Sequence, residues 1–206
     1  FRYAMSGGNE NGGGEIDKIT PSDEFRDSLY SIVKSFKDNG VTGGVISNII
    51  DLNSFPYFRY RKWNSLILTA SEATALTQYY AGKGDYTFNE GANAIVIEDP
   101  ASSNGLGHRR ILSNEYQLIQ VDIDSVNCGR KWGSYHPMPQ RWVLDRNEID
   151  SVNNAVAEYN IIIKEIADEF DLILDDANTG MKSIVNGGIY IAGKEITSEF
   201  ASGGYF

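Results

Sequence analysis

Cysteine is almost absent from this chain: Cys128 stands alone among 206 residues. That excludes an internal disulfide and any metal site built from several thiolates. A basic excess is missing too. Lys and Arg number 18 against 28 Asp and Glu, for a formal charge of −10, so no positive face is available to displace counterions from a phosphate backbone. Nucleic acid is therefore not an expected partner. The basic groups that do occur, His108-Arg109-Arg110 and Arg59 with Arg61 and Lys62, are short and read as solvated surface. No apolar run approaches the roughly eighteen residues of a membrane span, so no transmembrane segment is expected. The two histidines, His108 and His136, lack a carboxylate at recognisable spacing. They read as surface groups rather than metal ligands or bases, and neither a metal nor a cofactor is expected.

What is present begins with size and rings. A chain of 206 residues suits a single domain, 1–206, with room for a large insertion, and it is long enough to bury a core. Aromatic residues make up 12% of it, including 12 Tyr and 3 Trp. The organising stretch runs from Asp145 to Asp176. Its apolar positions Ile149, Val152, Val156, Tyr159, Ile163, Ile166 and Phe170 recur at alternating spacings of three and four, the period of one helix face. Asp145 and Glu148 have the spacing of a capping box at its start. Leu172-Ile173-Leu174, stopped by Asp175 and Asp176, reads as a strand buried on both faces. A helix feeding a strand that ends in carboxylates points to an α/β fold, with its chemistry at the carboxyl ends of the strands.

A similar unit precedes it. Thr20 and Pro21 open a helix whose buried face is Phe25, Leu29, Ile32, Val33 and Phe36, with Gly40 as its stop. Gly43 to Ile50 then reads as a buried strand ending at Asp51. The glycine-rich stretch 6–14 lacks the strand, helix and Lys-Ser/Thr context of a phosphate loop and reads as flexible. Residues 52–142, far longer than a minimal connection between parallel strands, read as an insertion or cap over one end of the sheet. Within them Thr69 and Glu72 suit a capping box for a helix through Tyr80, and Asn93–Glu98 and Tyr116–Ile123 read as strands. Their loops concentrate aromatics, among them Tyr57, Tyr60, Trp63, Trp132, Tyr135 and His136 beside them. Two uses of these rings stay open, packing in core and loops or a wall for a flat or apolar substrate. Ile184 to Ile191, with Asn186-Gly187 at its centre, reads as a β-hairpin.

A family resemblance rests on segment order and phrasing. The helix with Ala155-Val156-Ala157-Glu158-Tyr159-Asn160, the strand closing on Asp175-Asp176-Ala177-Asn178 and the ending Phe200-Ala201-Ser202-Gly203-Gly204-Tyr205-Phe206 resemble the SGNH (GDSL-like) hydrolases, in particular lipoprotein-like members from Bacteroidetes. Phe1-Arg2-Tyr3-Ala4, Gly43 to Asp51 and Trp142-Val143-Leu144-Asp145 share the likeness, which is weaker across the insertion. It implies part of a flavodoxin-like three-layer parallel sheet, and a serine esterase acting on an acylated lipid or carbohydrate. It also implies a periplasmic or extracellular, lipid-anchored protein. Such an enzyme needs a serine, a histidine oriented by an aspartate, and oxyanion donors. The family's Gly-Asp-Ser, Gly-x-Asn-Asp and Asp-x-x-His blocks do not occur in this sequence, so no catalytic residue is assigned.

The expectation is a fragment whose two ends fall beside those blocks, with Phe1 and Phe206 on the order of 10 to 15 Å apart near the carboxyl ends of the strands. An exposed or borrowed sheet edge, and a complementary chain supplying strands, go with it. The alternative is a non-catalytic protein of the same fold that binds glycan or lipid. In either case Tyr57, Tyr60, Trp63, Trp132, Tyr135 and His136 are the candidate substrate-binding residues.

Overall fold

The computed structural model describes residues 1–8, 17–121, 126 and 131–197. The glycine-rich residues from 9 on, Cys128 and the terminal segment 198–206 lie outside them, and with Phe206 the expected closeness of the two ends. In chain order the elements are α1 (Arg2–Met5), α2 (Ser22–Asp38), β1 (Val45–Ser47), α3 (Pro56–Arg59), β2 (Leu66–Leu68), α4 (Ala70–Tyr79), β3 (Gly91–Asn93), β4 (Val96–Glu98), β5 (His108–Arg110), β6 (Tyr116–Gln117), β7 (Val143–Leu144), α5 (Arg146–Glu169), β8 (Ile173–Asp175), α6 (Ala177–Gly187), β9 (Ile189–Ile191) and β10 (Lys194–Ile196). No helix among the described residues is long and apolar enough to cross a membrane. The chain divides into two compact units, residues 1–17 with 57–149 and residues 18–56 with 150–206.

In the second unit β1 and β8 pair in parallel, with Val45 opposite Ile173, Ile46 opposite Leu174 and Ser47 opposite Asp175. Helix and strand thus alternate around a parallel pair, the mixed α/β pattern read from the sequence. The strands are shorter than expected and are not buried on both faces. Val45 is 67% and Ile173 69% exposed, while Ile46 and Leu174 on the opposite face are half-buried. Among the described residues one face of the pair is thus half-buried and the other exposed, and α2 and α5 meet in a core in which Val33 packs with Ile162 and Ile166, flanked by Phe25, Leu29, Tyr30, Phe170 and Leu172. Phe25 stacks on Tyr159 at 4.3 Å. Ile32 and Phe36, expected in this core, are exposed. Ile32 falls at the edge of the stripe formed by Phe25, Leu29 and Val33, and Phe36 lies in the last turn of α2.

Two local expectations change in this unit. Thr20 does not cap α2: Pro21 holds that position without a side-chain bond, and the Thr20 carbonyl accepts the Tyr159 hydroxyl. The Asn186-Gly187 hairpin is not formed. Asp176 accepts the Thr179 amide at 3.1 Å and starts α6, which buries Ile184 and runs through Gly187 to a positive-φ Gly188. An N-cap at one end and a left-handed glycine at the other outweigh the turn preference of one dipeptide. The hairpin lies one step on, β9 against β10 around Ala192-Gly193, both with positive φ.

In the first unit short strands form three antiparallel pairs, β2 with β3, β4 with β5 and β6 with β7, which are three of the five sheets described. The expected strand 93–98 is broken after Asn93, so its halves pair differently; of the expected strand 116–123, whose residues 122 and 123 lie outside the described ones, residues 116–121 are regular over Tyr116–Gln117. The Thr69–Glu72 capping box is formed as expected, with Thr69 N–H donating to Glu72 Oε2 at 2.8 Å. So is the Asp145–Glu148 box, in which each residue's amide reaches the other's carboxylate, at 2.7 and 2.9 Å. One core gathers Ala94, Ile95, Ile97, Ile111, Val121, Met138 and Val143, and a second Ala73, Leu76, Tyr80, Phe88 and Val96.

Candidate functional site

A groove of about 380 Å³ opens between β2, α4 and the turn 131–135, within the first unit. Its apolar surface comes from Leu66 and Leu68 of β2, Leu76 of α4, Ile95 and Val126. The turn is laid along β4 by backbone bonds, Val96 N–H to Gly133 O at 2.8 Å and Met138 N–H to Val96 O at 2.9 Å. It comes so close that a Cβ on Gly133, whose φ is +83°, would lie 3.1 Å from Ile95 Cβ. Glycine is therefore required for this approach. The same turn carries Trp132 and Tyr135 to the groove wall, with the Lys131 ammonium 5.0 Å from the Tyr135 ring centre. Lys131 has a positive φ, and its carbonyl accepts from the Ser134 hydroxyl at 2.9 Å. Across the groove Glu72 is held by the α4 cap, whose Thr69 amide and hydroxyl keep its carboxyl below the usual range.

The six candidate residues are only partly brought together. Trp132 and Tyr135 line this groove, half-buried, against the two cores. Tyr57, Tyr60, Trp63 and His136 do not line it. Tyr57 donates its hydroxyl to Met5 O at 3.1 Å and packs edge-on against Phe58, and burial raises its pKa. Tyr60 and Trp63 are exposed. His136 is exposed and takes part in the turn through its backbone, accepting the Gly133 amide at 2.8 Å. Sequence reasoning missed Lys131 and the apolar floor. The one signal available was Gly133 directly after an aromatic, which marks a close backbone approach.

His108 and Arg109 also depart from the surface reading. His108 is half-buried, with Nδ1 at 3.1 Å from the Tyr86 hydroxyl. Arg109 grips the fully buried Glu115 carboxylate with both terminal nitrogens, at 2.6 and 2.7 Å, and reaches Asp99 through Nε at 2.5 Å. These acids, Glu115 first, hold the guanidinium well above its ordinary range. Glu115 further accepts the Arg146 amide at 3.2 Å at the start of α5. One turn on, burial pushes the Glu148 carboxyl up to about 8, with the Asp145 and Glu115 charges adding to it.

In the second unit the carboxyl ends of β1 and β8 are tied by side chains. Ser47 Oγ donates to Asp175 at 2.7 Å, and Asn48 Nδ2 donates to Asp176 at 2.7 Å. The bond from Asn48, with those from Thr179, lowers the Asp176 pKa. Asn160 of α5 closes on the Ile49 backbone twice, accepting its amide at 2.7 Å and donating to its carbonyl at 2.9 Å. Asp175, the last residue of β8, and Asp176, the cap of α6, thus turn to different partners. Among the described residues no group of three His, Cys, Asp or Glu is placed to hold a metal ion.

The fold defines a mixed α/β protein with small parallel and antiparallel sheets. Compared with protein-family models, curated proteins and solved structures, the chain matches none.

Proposed function

We propose that these residues form the body of an SGNH-type serine ester hydrolase acting on an acylated lipid or carbohydrate. In this reading β1 and β8 are two strands of a flavodoxin-like, three-layer parallel sheet. The observation that carries the proposal is their parallel register, Val45 to Ile173, across a separation of more than a hundred residues. It joins the two segments that the resemblance makes neighbours, and their carboxyl ends carry Asn48, Asp175 and Asp176. The uncovered face at Val45 and Ile173 supports it further, because parallel sheets are stable when both faces are covered. Helices outside the described residues would cover that face, and further strands, from the same polypeptide or a complementary chain, would pair along the outer edges of β1 and β8. The serine, the oxyanion donors and the Asp-x-x-His pair would come from outside these 206 residues, in a periplasmic or extracellular, lipid-anchored protein.

The test is to express the whole reading frame that contains this sequence and treat it with a fluorophosphonate and with p-nitrophenyl acetate. Labelling of one serine in an upstream Gly-Asp-Ser, with turnover abolished by its replacement, is expected; the 206-residue chain alone should be inert. A reading frame without that motif and without a downstream Asp-x-x-His would overturn the proposal. The second reading, a non-catalytic glycan- or lipid-binding protein, is favoured by the aromatic-walled groove at Trp132 and Tyr135.

A further inference from the structure

The groove beside Trp132 contains more than an apolar slot needs. Leu66, Leu76 and Ile95 give it a hydrocarbon surface, but Glu72 and Lys131 place charges of opposite sign on the same lining. Both side chains are exposed at its rim, where an alkyl chain would return no hydrogen bond to either. A saturated sugar ring differs. Its C–H face is apolar and suits an aromatic ring, while its edge carries hydroxyls that both donate and accept. A carboxylate needs donors and an ammonium needs acceptors. One ring with neighbouring hydroxyls supplies both.

The polar groups are also fixed before any ligand arrives. Glu72 Oε2 accepts twice from Thr69 at the start of α4, from its amide at 2.8 Å and from its hydroxyl at 2.7 Å, so that Oε1 takes no part in the cap. The Lys131 carbonyl accepts the Ser134 amide, the Ser134 hydroxyl and the His136 amide, and its ammonium lies over Tyr135. Tyr80 holds the Ser134 carbonyl at 2.6 Å from within the core. A turn secured at so many points loses little freedom on binding.

We propose that this groove is a subsite for one pyranose ring of a carbohydrate, stacked on Trp132 with its hydroxyls between Glu72 and Lys131. The inference deepens the proposed function by choosing the carbohydrate over the lipid as the group recognised there, and it rests on taking the groove as a recognition surface.

Nitrogen-labelled chain is titrated with methyl glucopyranoside, xylose and N-acetylglucosamine in turn, and with decanoate as the lipid-like rival. Indole signals are assigned through W63F, W132F and W142F. Saturable shifts of the Trp132 indole and of the Lys131–Tyr135 amides with at least one sugar are expected, while the Trp63 indole stays still. K131A and E72Q should each weaken that binding by about tenfold, 1.4 kcal/mol. Lys131 is exposed and enters the turn through its backbone carbonyl, so the amide spectrum of K131A is expected to match the parent's outside the turn and reports whether the fold is intact. The proposal is overturned if none of the three sugars moves the Trp132 signals, if only decanoate does, or if both variants bind as the parent does. p-Nitrophenyl acetate contains no sugar ring. A blank titration beside esterase turnover by the longer protein would therefore remove the subsite alone, and sugar binding without turnover would remove the hydrolase alone.

Discussion

Replacing Arg109 by methionine removes the guanidinium from Glu115 and preserves most of the volume of the stem. The Glu115 side chain has no exposed surface, and two of its bonds, at 2.6 and 2.7 Å, come from Arg109. Breaking a buried pair from one side costs about 3 to 5 kcal/mol, because a charge is left without its counter-ion. Here the carboxylate keeps the Leu112 amide at 2.8 Å and the Arg146 amide at the helix start. Both donors soften the loss, which places R109M near the lower end, about 3 kcal/mol. Urea unfolding at neutral pH, followed by tryptophan fluorescence and by circular dichroism, measures this as a lower midpoint at unchanged slope. R109K should recover only part of it, since an ammonium cannot form the two-pronged contact. R109M/E115L should be more stable than R109M yet below the parent, because the Leu112 and Arg146 amides lose their acceptor. A loss below about 1 kcal/mol in R109M, or an R109K protein equal to the parent, would refute the reading of this fork as the counter-charge of a buried carboxylate.

Glu148, raised from 4.5 to about 8, stays protonated in the folded chain over a range where the unfolded chain has released that proton. Its contribution is complete below about pH 4.5 and is lost as pH rises through 8, so the unfolding midpoint should fall over that window. E148Q, which keeps an acceptor for the Asp145 amide, should flatten the profile; an unchanged slope would contradict the assignment. T69A removes the α4 cap and should cost about 0.5 to 2 kcal/mol, seen as faster amide exchange in the first turn of α4. Ala192 holds a φ of 50° in the β9–β10 turn. A192N should stabilise the hairpin by about 0.5 to 1 kcal/mol, since asparagine tolerates that region better, and slower exchange across β9 and β10 would show it.

Local signals and long-range pairing were legible to different degrees. Thr69 with Glu72 and Asp145 with Glu148 marked two helix starts, because a capping box lies within four residues and needs nothing from the rest of the chain. The period of α5 placed Ile149, Val152, Ile163 and Ile166 inside for the same reason. The parallel match of the segments around Ile46 and Ile173 was also readable, as two short apolar runs each following a helix and ending in polar residues. The Asn186-Gly187 dipeptide misled, since its turn preference was outweighed by a cap ten residues earlier at Asp176.

Amino-acid order alone thus determined where α4 and α5 start, which stripe of α5 is apolar and that the protein is mixed α/β. Only the tertiary structure decided that Trp132 and Tyr135, but not Tyr57, Tyr60, Trp63 or His136, share a groove with Glu72 and Lys131. It also decided that Arg109 is bound to a buried acid and that Val45 and Ile173 are left uncovered. The reason is physical: each of those outcomes depends on which distant segment packs beside a residue, and spacing along the chain carries no record of that.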